Sequence, residues 1–133
     1  MQRATGRAAQ ALPTGSLTLN LLNRSAIILK PKRPFLEWSK QDDTEGLAES
    51  VFEALQEEPN VYLLPEYEDA SSQQELLKEF WPALFEAMLE GWVTDEACWP
   101  RNRTFEMFQE WFEIQITSVV EDLDVDEPLK LPE

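Results

Sequence analysis

Residues 26–29, Ala26-Ile27-Ile28-Leu29, and residues 61–64, Val61-Tyr62-Leu63-Leu64, are the two runs whose reading decides the fold. Each is short, unbroken, apolar and rich in β-branched or aromatic side chains. That pattern predicts strands buried on both faces. Between them, Asp42 with Glu45 three residues on has the form of a capping box. Leu47, Ala48, Val51, Phe52 and Leu55 follow at helical spacing, and Pro59-Asn60 ends the segment. Phe35, Leu36 and Trp38 fall in a short helical or irregular stretch after Pro31 and Pro34. Strand, helix and strand in this order predict a right-handed βαβ unit with its two strands parallel.

Working outward, Ser72 with Glu75 forms a second capping box. Behind it, Leu76, Leu77, Phe80, Trp81, Leu84, Phe85, Met88, Leu89 and Trp92 make a broad apolar helical stripe. Pro82 interrupts it, which predicts a kink or a restart, and Gly91 is the expected stop. Thr104 is placed to cap a short helix carrying Phe105, Phe108, Trp111 and Phe112. Ile114 and Ile116 then alternate with Glu113, Gln115 and Thr117, as in a half-buried strand. The expected architecture is α+β: a small sheet of about three strands, the first two parallel, covered by helices. Residues 1–22 read as a flexible N-terminal extension, 23–123 as one domain, and 124–133 as a frayed acidic tail. The Arg-bearing, acid-free start resembles a transit peptide, but a flexible tail is the more economical account.

Several fragments of this body resemble, in order, those of a family of small bacterial proteins of unknown function. They are Lys30-Pro31-Lys32-Arg33-Pro34-Phe35 with Trp38, Val61 through Glu66, Gly91-Trp92 with Asp95, and Trp99-Pro100. Arg103-Thr104 with Met107, Trp111-Phe112, and Ser118 through Leu123 complete the set. The resemblance covers roughly residues 24–127, one domain's length. It implies a standalone bacterial, cytoplasmic α+β domain and supplies no activity.

Composition narrows the chemistry. The 133-residue chain has no histidine, one cysteine and a formal charge of −15. A His-based triad, a His-containing zinc site and an internal disulfide are therefore excluded. The overall charge opposes nonspecific binding to nucleic acid or an anionic membrane, and no apolar run reaches the length of a membrane span. The charge is also split: residues 1–36 carry +6 and residues 37–133 carry −21. No Walker loop, nucleotide-binding glycine fingerprint, nucleophile elbow or paired-cysteine motif is present, and no cofactor is implied. Asp122, Asp124 and Asp126 imitate a calcium loop, but Glu127 stands where the turn needs glycine.

Two candidate sites remain. Lys30, Lys32 and Arg33 lie where the first strand ends, and a parallel second strand would bring Glu66 beside them. That crevice beyond the strand ends is where open α/β sheets bind ligands. The second candidate is Trp92, Trp99, Arg101 and Arg103, which fall within 12 positions; Trp38 and Asp95 are further candidate binding residues assigned to neither site. Tryptophan and arginine are the residues most enriched at binding hot spots. The plain alternative is that the indoles cover the core and the arginines pair with nearby acids. The leading reading is a non-enzymatic protein-binding or adaptor module, with self-association left open. The runner-up is a carboxylate-based enzyme or small-ligand binder at the strand ends, with Glu66, Glu68, Asp69 and Asp95 as the acids for a divalent cation.

Overall fold

The computed structural model describes residues 20–132; residues 1–19, most of the expected N-terminal extension, lie outside them. The short strand β1 (Asn20–Leu21) leads into β2 (Ser25–Pro31). The buried face of β2 is built by Ser25, Ile27, Leu29 and Pro31, because alternate side chains share one face of a strand. The first helix, α1 (Arg33–Lys40), starts at once, with Pro34 in its first turn. Proline suits that position, since its missing N–H would have no partner inside the helix. Phe35 and Leu36 are its buried face, and buried Ser39 bonds back to the Leu36 carbonyl at 2.8 Å.

Helix α2 (Ala48–Glu57) follows a turn in which Gly46 takes φ 73°. The carboxylate that opens α2 is Asp43, not Asp42: its oxygens accept from the Leu47 and Ala48 amides, both at 2.8 Å. Helices α1 and α2 pack on each other, and the Lys40 ammonium bridges to Glu49 at 2.9 Å. Strand β3 (Asn60–Leu64) then pairs with β2 antiparallel, Ser25 opposite Leu64 and Leu29 opposite Asn60.

This overturns the expected parallel pair. A single crossover helix carries the chain back to the end of the sheet where the first strand began, so the next strand runs parallel. Here two helices run out and back, and β3 starts at the end where β2 stopped. The stretch around Phe35 and Trp38, left as helical or irregular, is the second helix that changes the parity.

The 23-residue helix α3 (Ala70–Trp92) comes next. It begins earlier than Ser72 and Glu75 suggest. Asp69 is the N-cap, accepting the Ser72 amide at 2.8 Å, while the Ser72 hydroxyl accepts the Asp69 amide at 3.0 Å. Pro82 lies inside it, and the helix runs through Gly91 to Trp92. Leu76, Leu77, Leu84, Phe85, Met88 and Leu89 are its buried stripe. A 3-10 turn (Glu96–Cys98) leads to α4 (Phe105–Trp111), capped as expected by Thr104, which accepts the Met107 amide at 3.1 Å. Strand β4 (Phe112–Thr117) takes the other side of β2, also antiparallel, with Leu29 opposite Ile114. Finally β5 (Glu121–Asp122) pairs with β1.

The described strands thus form one three-stranded sheet, β3-β2-β4, and one two-stranded ribbon, β1-β5, all antiparallel. The core lies between the Ile27 and Leu29 face and the stripe of α3. Phe85 is its centre, with ring centroids 5.4 Å from both Trp111 and Phe112 and 6.0 Å from Phe108. Rings at such separations and angles add to the area they bury.

Candidate functional site

The antiparallel register separates the residues of the first candidate site. The Ser25 hydroxyl donates to the Pro65 carbonyl at 2.7 Å, so Glu66 sits at the start of β2. Lys30 is five residues further on, about 17 Å along the strand at roughly 3.4 Å per residue. The mixed-charge crevice of Lys30 with Glu66 depended on parallel strands and is not formed. Each base instead has a local setting. Lys30 stands opposite Glu113 of β4. The Lys32 ammonium donates to the Gln109 carbonyl at 3.1 Å, where the C-terminal end of α4 favours a cation. Arg33 pairs with Glu37 one turn on, at 3.1 Å.

The four acids of the runner-up reading are separated too. Glu66, Glu68 and Asp69 precede α3 and Asp95 follows it, and 23 helical residues span about 34 Å. Asp69 and Asp95 are both spent as caps, Asp95 on the Ala97 amide at 3.0 Å. Among the described residues, no group of three or more His, Cys, Asp or Glu is placed to hold a metal ion.

The aromatic and basic loop divides into two parts. Trp99 and Arg103 lock the loop onto α3. The Trp99 indole N–H donates to the Val93 carbonyl at 2.8 Å. The Arg103 guanidinium donates to the Pro100 carbonyl at 2.8 Å and to Glu86 of α3 at 3.0 Å. It also lies 5.8 Å from the Trp99 ring and 5.9 Å from Phe85, within reach of cation–π attraction. Arg101 is exposed.

Trp38 and Trp92 are brought together with residues that the sequence did not single out as a site. They line a cavity of about 230 Å³ with Val93, Cys98 and the turn residues Asp42, Asp43, Thr44, Glu45 and Leu47. Trp38 is held by its indole N–H, which donates to the Cys98 carbonyl at 3.2 Å, and by edge contact with Phe35 at 5.4 Å. The opposite wall is the end of α3, where Trp92 and Val93 leave the helix. Acidic side chains on the turn between α1 and α2 form the rim. Backbone N–H donation from Ala48, and then Leu47, holds the Asp43 carboxyl below the ordinary aspartate range. It stays ionised and fixes the turn, while Asp42 and Glu45 supply further negative charge. No lysine or arginine lines the cavity.

The chemical character is therefore aromatic walls under an acidic rim. That suits an organic cation, which both the π-faces and the carboxylates attract. The volume is below the roughly 300–1,000 Å³ of pockets that bury drug-sized ligands, so it fits one side chain or a small amine. The signal in the sequence was Asp42-Asp43-Thr44-Glu45-Gly46, a turn composition ahead of the helical pattern. The chain matches no family model, no curated protein and no solved structure.

Proposed function

We propose that this protein is a non-enzymatic binding module for a protein partner, and that the Trp38–Trp92 cleft receives a lysine or arginine side chain of that partner. The observation that carries the reading is the pairing of two indoles with Asp42, Asp43 and Glu45 around one small cavity that no basic residue lines. A strongly acidic body assists by speeding the encounter with a basic partner. Of the expected loop surface only Trp92 lines this cleft, and Trp38 is its second aromatic wall; Trp99 and Arg103 hold the loop against α3.

The test is titration of the full chain with lysine- and arginine-containing peptides, followed by the indole signals of Trp38 and Trp92 in NMR spectra. Both signals should move saturably, and Asp42→Asn with Glu45→Gln should weaken binding by about tenfold, with the loss shrinking as salt rises. Indole signals that stay in place, or a neutralised rim that binds equally well, would overturn the reading.

A further inference from the structure

Strand β3 is the edge of the three-stranded sheet: β2 is its sole strand partner among the described residues. Its other edge presents backbone N–H and C=O groups that are ready to pair with another strand. Edges of this kind are normally guarded by a lysine, an internal proline, a bulge or a covering element. Asn60-Val61-Tyr62-Leu63-Leu64 has no charge and no proline, and its register against β2 runs without a bulge. Val61 and Leu63 are 58% and 48% exposed on the face away from the main core. The opposite edge, β4, differs: there Glu113, Gln115 and Thr117 alternate outward.

Charge identifies the occupant. In a two-fold pairing of β3 with a second copy about Tyr62, Glu58 of one chain would face Glu66 of the other, between two bodies of −15 each. Like charges placed opposite each other oppose that arrangement. The same acids at the two ends of the strand, Glu57 and Glu58 before it and Glu66 and Glu68 after it, favour a basic guest.

We infer that the β3 edge takes an extended segment of a partner protein as an added strand, with alternate apolar side chains on Val61 and Leu63 and basic residues at its ends. Backbone bonds to β3 would supply affinity, and the apolar pair with the flanking acids would set register and specificity. This surface is distinct from the Trp38–Trp92 cleft, and either can stand without the other.

The experiment uses the full chain and a nine-residue synthetic probe, valine and threonine alternating between two lysines at each end. Binding is read by calorimetry and by amide hydrogen exchange. The expected result is saturable binding with new protection at residues 60–64, a protection that persists in Asp42→Asn with Glu45→Gln, where the acids of the Trp38–Trp92 cleft are neutralised. Val61→Lys with Leu63→Lys should weaken it by about tenfold or more. A probe N-methylated at all five central residues, which removes the donors of both its edges and leaves the protein unchanged, should not bind. No binding of the parent probe, equal binding of the N-methylated probe or of one with glutamate ends, or binding without protection at 60–64 would each overturn the inference. So would protection of these amides in the free chain that rises with its own concentration, because a second copy would then be the occupant.

Discussion

Asp43 and Asp69 show how single side chains fix the ends of two helices. Each carboxylate accepts backbone N–H groups that a helix leaves unpaired at its start. Those bonds favour the ionised form, so both carboxyls are held below the ordinary aspartate value, Asp43 chiefly by Ala48 and Asp69 chiefly by Ser72. A folded-state pKa below the unfolded one means that the unfolded chain binds more protons in the window between them. The stabilisation is then complete above the ordinary aspartate range and is lost as pH falls through the depressed values. Thermal melts from pH 7 to pH 2 should therefore show the midpoint falling below about pH 4. In the double variant Asp43→Asn, Asp69→Asn, the midpoint should be lower at neutral pH and the acid limb shallower. An acid limb as steep as that of the parent would count against this account. At the same scale, the sequence pointed to a carboxylate before α2 but chose Asp42. The two neighbours are equivalent in composition, and only the turn closed by Gly46 decides which one reaches the amides.

At the scale of elements, α3 carries its apolar stripe through Pro82, whose ring removes one backbone bond. The helix continues because Leu76 and Leu77 before the proline, and Leu84, Phe85, Met88 and Leu89 after it, are all buried on the same core. Packing outweighs a local cost of about 3 kcal/mol relative to alanine. Pro82 is exposed, so Pro82→Ala should stabilise the protein, by up to about 3 kcal/mol in urea denaturation; unchanged or lower stability would show that the proline fits its site without strain. The β2–β3 unit teaches the converse lesson. Its strands were legible as apolar runs, but their relative direction depended on counting the helices between them. Eight residues with two prolines nearby gave α1 too weak a periodicity to be counted. That one element reverses β3, moves Glu66 to the far end of the sheet from Lys30, and dissolves the predicted crevice.

For the whole molecule, charge is the dominant long-range term. Twenty-six acids on one small body repel one another. Arg33–Glu37 and Lys130–Glu127 are exposed ion pairs and contribute little individually. Salt screens repulsion: from 0.1 M to 1 M the Debye length shortens from about 10 Å to about 3 Å. The melting midpoint should accordingly rise with sodium chloride over that range, and a fall would show that ion pairs outweigh repulsion. No described helix is long and apolar enough to cross a membrane. The sequence by itself determined the α+β class, the −15 charge, the lack of histidine chemistry and the apolar stripes, because all of these follow from composition and local period. Only the tertiary structure decided strand direction and which loops meet. Trp38 and Trp92 are 54 positions apart, and no local pattern relates them. The ends of α1 and α3 come together because their apolar faces share the core around Phe35 and Phe85, and the cleft is what that packing leaves between them.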